Sequence, residues 1–309
     1  MPLGVLFALL SFTLYSFGDA MTKAFAGQYS VFELNFFINV IAILPGILTK
    51  EPETRWRDTF KLSAPWLMHA RSLGYTIATI AFVFALTTIP IAEAYSLVFL
   101  TPLFVSLLSV VVLKEKVSVT RWVLVALSFI GVLIVVRPGF RELQPGHFAA
   151  ILAAFAAASA TTILRVISGK EKQFSIVAMN GAYQVVVCGV LMLVFGFTLL
   201  GWYDLLRLAI IGLLGGTAQI LVIRGLRIAP ANQVGPTQYV QILWAVIFGA
   251  VFYHEFPDQL GYVGLALLVA AGVATIFSDG AQARVAGRWS EFRARRGGPK
   301  FTEVDGPEI

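Results

Sequence analysis

This chain of 309 residues is short of the groups that do chemistry: it has one cysteine, three histidines and few charges. Cys188 stands alone, so no internal disulfide can form, and a lone thiol inside an apolar stretch reads as packing. His69, His147 and His254 lie in separate segments, with no spacing suited to a metal. No Gly-rich loop ending in Gly-Lys-Ser/Thr is present, which removes ATP bound at a Walker site as a direct energy source. No acid, base and nucleophile cluster together, so neither an enzyme nor a cofactor is expected. Only 13% of the residues are charged, against about 25% in soluble domains. That deficit excludes an ordinary soluble fold.

What is abundant is apolar sequence, at 58% of the chain. It comes in blocks of about 20 residues, the length that crosses a bilayer as a helix. Lipid offers the backbone no hydrogen-bond partner, so only helices or closed barrels can span it. Barrel strands are short and alternating, whereas these blocks are long and continuous. The expected spans are Leu3–Thr22, Val31–Leu48, Trp66–Leu86, Ile91–Leu113, Trp122–Val136, His147–Leu164, Ile176–Leu200, Leu205–Ile223, Asn232–Tyr253 and Leu260–Phe277. The first has no basic flank and no cleavage site, so it is read as a retained span rather than a signal peptide. Lys50–Pro65 is expected as the longest polar loop, and residues 279–309 as a basic tail.

The net charge of +6 does not call for nucleic acid, because the basic residues lie between and after the apolar blocks. With the N-terminus inside, 18 of the 23 Lys and Arg fall on the cytoplasmic side and four outside, with Arg71 inside a span. The positive-inside rule then places both termini in the cytoplasm. A multi-pass protein of a bacterial inner (plasma) membrane is expected, its partners the lipid bilayer and a small-molecule substrate.

The sequence also repeats. Ile89-Pro90-Ile91-Ala92-Glu93-Ala94 aligns with Ala229-Pro230-Ala231-Asn232-Gln233-Val234 at an offset of 140, and Glu115 aligns with Glu255 at the same offset. Lys23 has a counterpart in Arg165. Five spans are duplicated, with residues 1–140 as one unit and 141–278 as the other. Five is odd, so the second unit enters the membrane upside down. Inverted repeats of this kind are typical of carriers, with the binding site between the halves. The expected fold is all-α integral membrane: ten transmembrane helices in two inverted five-helix repeats.

Ile89-Pro90-Ile91-Ala92-Glu93-Ala94, then Lys114-Glu115-Lys116, Trp122 and Gly131, resembles the EamA family of the drug/metabolite transporter superfamily. Phe32-Glu33-Leu34-Asn35-Phe36-Phe37 and Glu255-Phe256-Pro257-Asp258 look most like its riboflavin and S-adenosylmethionine uptake branch. The resemblance implies a central cavity lined largely by spans three, four, eight and nine. The chain departs from many members in having Ile38-Asn39 where they carry an Arg in span two, so an anion held there in relatives is in doubt here.

Polar residues inside spans tend to face a cavity or a partner helix. Arg71 is the sharpest candidate, as a cationic contact for a substrate anion or as a side chain snorkelling to the interface. Glu93 either binds a proton or cation or caps span four. Gln233, Thr237, Gln241 and Trp244 recur at helical spacing, which puts them on one face of span nine. Tyr75, Tyr95, Gln184 and Gln219 extend the set. Asp19 and Glu33 read as helix-end carboxylates near the outer face, and Pro102 and Pro236 as kinks.

Amides and aromatic rings with few charges suit a neutral or zwitterionic molecule with a flat part. A secondary carrier working by alternating access follows. Riboflavin uptake is the favoured expectation, with S-adenosylmethionine, an amino acid or another metabolite, in either direction, as the alternative. A lipid-modifying enzyme and a passive channel are the other classes.

Overall fold

A computed structural model describes residues 3–47, 61–114, 117–137, 142–167, 171–229 and 235–274. Within them the chain is helical, with no strand. The helices are α1 (Leu3–Lys23), α2 (Val31–Ile47), α3 (Pro65–Thr88), α4 (Ile91–Val98), α5 (Thr101–Val111), α6 (Val119–Val136), α7 (Pro145–Ile167), α8 (Gln173–Phe195) and α9 (Trp202–Ile228). A 3₁₀ segment, Gly235–Tyr239, then leads into α10 (Val240–Tyr253), and α11 is Gln259–Ala274. Among the described residues six helical segments are long and apolar enough to cross a membrane, and four shorter apolar helices bring the number to ten. Residues 50–60 of the expected loop Lys50–Pro65, the Lys114-Glu115-Lys116 motif beyond Lys114, and the tail lie outside the described residues.

Spans four and nine are not continuous helices. Span four breaks between α4 and α5, where Pro102 has no N–H to give to the Val98 carbonyl. The Thr101 hydroxyl donates to that oxygen instead, at 2.6 Å. The Gly235–Tyr239 turn containing Pro236 is the corresponding irregularity in span nine. Span seven ends earlier than expected, at Phe195, where Gly196 takes a φ of 106° that suits glycine.

The two halves interlock rather than sit side by side. α1 packs along α9, α2 against α8 and α9, and α3 against α7 and α8. Two buried carboxylates tie these cross-half groups. Ser30 and Glu33 cap α2 reciprocally, and the other oxygen of Glu33 accepts the Thr198 N–H at 2.5 Å. In the second half Glu171 accepts the Ser63 and Ala64 N–H groups at the start of α3, both at 2.7 Å. Each carboxylate precedes or opens the second span of its own half and holds the start of the third span of the other. Glu33 is therefore a structural tie, not a free helix-end acid.

Candidate functional site

Between these interlocked helices lies a cavity of about 640 Å³, within the range that holds a drug-sized ligand. Its wall is built from α1, α2, α3, α8 and α9, with Gln241 of α10. Spans one, two and seven take the place that the family resemblance gave to span four. α4 instead packs on α7 and α10, and none of its residues lines the cavity.

The wall has a polar ladder on an otherwise apolar surface. Tyr15 and Asp19 are four residues apart on α1, Asn35 and Asn39 on α2, Arg71 and Tyr75 on α3, and Asn180 and Gln184 on α8; all eight line the cavity. Residues four apart share a helix face, so each pair turns inward together. Arg71 is 7% exposed and does not snorkel; its Nη1 donates to Asn180 Oδ1 at 2.7 Å. Asp19 accepts the Tyr95 hydroxyl proton, and Tyr95 in turn accepts from Gln241 Nε2 at 3.3 Å. Tyr15 donates to Gln219 Oε1 at 2.8 Å.

Arg71 lies near the start of α3, and the cavity also reaches Gly46 and Ile47 at the end of α2 and Phe174 at the start of α8. Those helix ends adjoin the Arg- and Lys-rich connections. Asp19 lies towards the opposite face. There Lys23 Nζ donates to the Ile89 carbonyl at 2.6 Å and pairs with Glu255 at 2.7 Å. The other Glu255 oxygen accepts the Ile91 N–H at 2.9 Å. The cavity thus has the Arg71 guanidinium towards one end of its helices and the Asp19 carboxyl towards the other, and the Lys23–Glu255 ties lie beyond the Asp19 end, outside the cavity wall.

Of the residues singled out from sequence, Arg71, Tyr75, Gln184, Gln219 and Gln241 line this cavity. Tyr95 sits behind Asp19. Glu93 lies away from the cavity, with its carboxylate 3.0 Å from His147 Nε2. Trp244 Nε1 donates to Thr13 Oγ1 at 3.0 Å on the α1 side. Thr237 is buried in the 3₁₀ segment, whose tighter winding breaks the α-helical register assumed for span nine. Gln233 lies outside the described residues. Three further cavity residues are Asp19, which the sequence presents as a helix-end carboxylate, and Tyr15 and Asn180, which sequence reasoning passes over. The signal that identifies them is the polar i,i+4 pair within an apolar span.

Gln241 links α10 to the Tyr95–Asp19 pair, so Gln241→Leu will remove that support without touching helix insertion. A hydrogen-bonding group left without its partner costs about 1–3 kcal/mol. A solute held in the cavity will therefore bind roughly five- to hundredfold more weakly. Unchanged binding at equal expression would show that Gln241 only packs.

Residues 2–137 and 144–278 each match the model described as the EamA-like transporter family. The S-adenosylmethionine uptake transporter of Rickettsia prowazekii (strain Madrid E) is 24% identical, over 89% of this chain and 93% of its own. The pseudopaline exporter CntI of Pseudomonas aeruginosa is 27% identical, over 88% of this chain and 95% of its own. Solute carrier family 35 member G1 of Homo sapiens is 28% identical, over 88% and 78%. A solved crystal structure superposes with a TM-score of 0.62 at 18% identity, covering 89% of this chain and 96% of that one, which supports the fold alone.

Proposed function

This chain belongs to the EamA-like transporter family, and from that premise we propose that it is a secondary carrier for a zwitterionic organic metabolite of the S-adenosylmethionine kind. It works by alternating access in a bacterial plasma membrane, and its moving parts are two repeats, residues 1–140 and 141–278. The observation that carries this reading is the two-pole cavity. Arg71 presents a buried positive charge and Asp19 a carboxylate to one enclosed space. An uncharged cargo would leave both without a partner of opposite sign, and charges out of water are costly unless paired. Riboflavin, the expectation from sequence, is uncharged and satisfies neither pole. The names of the relatives described above point to S-adenosylmethionine and pseudopaline instead.

The test is counterflow in proteoliposomes. Preloaded, unlabelled S-adenosylmethionine will drive saturable entry of the labelled compound, and riboflavin will not compete. Flux that rises linearly with concentration would mean a channel and end the carrier reading. Asp19→Asn keeps the shape and the Tyr95 hydrogen bond but removes the charge. Interactions with a charged group are worth about 1.5–3 kcal/mol, so cationic cargo will bind about ten- to hundredfold more weakly.

Orientation is part of the same proposal. Both termini face the cytoplasm and the cavity approaches the cytoplasmic face, because its Arg71 end adjoins the Arg- and Lys-rich connections. A reporter active only in the cytoplasm, fused after Ile309, will be active. A signal from the outside would overturn the ten-span topology and the direction of opening together.

A further inference from the structure

Two atoms of the cavity wall are buried without a hydrogen-bond partner, Nε of Arg71 and Oε1 of Gln184. Both residues are at least nine-tenths buried, and both line the cavity. They are complementary in kind, since one is a cationic donor and the other a neutral acceptor. Buried polar groups in folded proteins are nearly always satisfied, so an unpaired donor and an unpaired acceptor in one wall mark a place for a guest.

The geometry around them is fixed. Asn180 and Gln184 are one turn apart on α8, so they present adjacent amides. Asn180 Oδ1 takes Nη1 of Arg71 at 2.7 Å and holds the guanidinium plane against α8. Using Nη1 in this way leaves the Nε–Nη2 edge free. That edge is the fork that meets a carboxylate side-on with two parallel hydrogen bonds. Among the described residues no carboxylate of the protein pairs with Arg71. The ladder continues one turn up α3 to Tyr75 and across to Tyr15 and Gln219, which leaves room beyond the recess for the remainder of a larger molecule.

We infer that the recess formed by Arg71, Asn180 and Gln184 binds the α-amino-acid group of the cargo. The carboxylate sits on the Nε–Nη2 edge of Arg71, and the ammonium donates to Gln184 Oε1. An α-amino acid carries both functions on one carbon, and so answers both unpaired atoms at once. A phosphate satisfies only the guanidinium, and a neutral heterocycle offers no charge to it. This inference rests on the carrier reading above and names the chemical handle by which that carrier selects its cargo. The selection acts on the handle, so the group attached to the α-carbon is free to vary within the cavity.

The experiment uses the purified full chain, with binding read by thermal shift in detergent and transport by counterflow. The probes are S-adenosylmethionine, its decarboxylated analogue, its N-acetyl derivative and inorganic phosphate. In the wild type, S-adenosylmethionine will bind at least tenfold more tightly than either analogue, and phosphate will not displace it. Arg71→Gln will erase the preference over the decarboxylated analogue, and Arg71→Lys will retain only part of it. Gln184→Leu will erase the preference over the N-acetyl form while keeping that over the decarboxylated one. Equal binding of the three adenosyl compounds by the wild type, a result that needs no variant to fold, would overturn the inference. So would displacement by phosphate. Counterflow of a solute without an α-amino-acid group, with no binding of S-adenosylmethionine, would overturn the inference and leave the carrier standing. Selective binding with no flux of any probe would keep the recess and end the carrier.

Discussion

Changing Gly212 and Gly216 together to valine will leave almost no folded protein in the membrane. The two glycines lie one turn apart on α9 and face α2, a helix of the other half. A Cβ on Gly212 would stand 2.6 Å from the Ile38 carbonyl oxygen and 2.7 Å from Ile41 Cβ. On Gly216 it would stand 2.6 Å from the Ala42 carbonyl oxygen and 2.9 Å from Pro45 Cγ. Backbone oxygens cannot step aside as a flexible side chain does, so α2 would have to move away bodily. Small residues spaced by four are how helices approach closely in lipid, where no hydrophobic force drives them together. Overpacking costs about 1–3 kcal/mol per site, and valine adds more than one methyl. Two sites on one seam consume much of a stability of about 5–15 kcal/mol. The cavity lies against this seam, so the site goes with it. Gly215 has open space around its Cβ position, and Gly215→Ala will express and melt like the wild type. Size-exclusion profiles and melting curves of both variants make the comparison. A monodisperse Gly212→Val/Gly216→Val protein with a normal melting point would refute the account of the α2–α9 seam.

Lys23→Met will weaken closure of the cavity at its Asp19 end, the outer one under the orientation proposed above, and lower transport by more than tenfold. Lys23 is 8% exposed. Besides the Ile89 carbonyl and Glu255 it lies 5.5 Å from the centre of the Tyr253 ring. Together with Glu255 it fastens the end of α1 and the α10–α11 connection to the corner where α3 ends and α4 begins. Removing one partner of a buried ion pair costs about 3–5 kcal/mol, because the other charge is left alone. The Glu255 side chain is 24% exposed, so water recovers part of that and the lower end applies. About 3 kcal/mol still moves a two-state balance by roughly two orders of magnitude. In a Cys188→Ser background, Thr22→Cys on the cavity wall reports the change. It will react slowly with an impermeant outside thiol reagent when Lys23 is present and rapidly when it is methionine. Equal rates would mean that the Lys23–Glu255 pair only stabilises the corner and does not gate it.

The spans were legible in the sequence because hydropathy is a local property. Eight of the ten apolar blocks recover one helix whose ends shift by up to about five residues, while blocks four and nine are each interrupted, and the offset of 140 found the duplication without any structure. Arg71 stood out for the same kind of reason, since a guanidinium inside an apolar block is expensive wherever it points. Asp19 did not stand out. Three residues from the end of its block, it reads as a helix-end acid, and only the packing of five helices around it puts it in the cavity wall. Thr237 and Trp244 went the other way. Regular helical spacing put them on a binding face, but a 3₁₀ segment breaks the register, and the indole turns to Thr13 of α1.

By itself the sequence determined that this protein lives in a bilayer, crosses it ten times, and carries the same five-span unit twice in opposite senses. Each of those follows from composition, block length and the parity of five. The tertiary structure decided which helices meet. α1 and α2 leave their own half to pack on α9, and α3 packs on α7 and α8; the polar i,i+4 pairs mark faces of these spans, but only this packing turns those faces onto one cavity. Whether an intramembrane polar residue faces cavity, partner helix or lipid depends on helix rotation and on its neighbours, and both are set by contacts far away in the chain, 76 residues for Asp19 and Tyr95. Arg71 and Asn180 are 109 residues apart and share a hydrogen bond of 2.7 Å; hydropathy finds their helices, and only the packing of α3 on α8 brings them together.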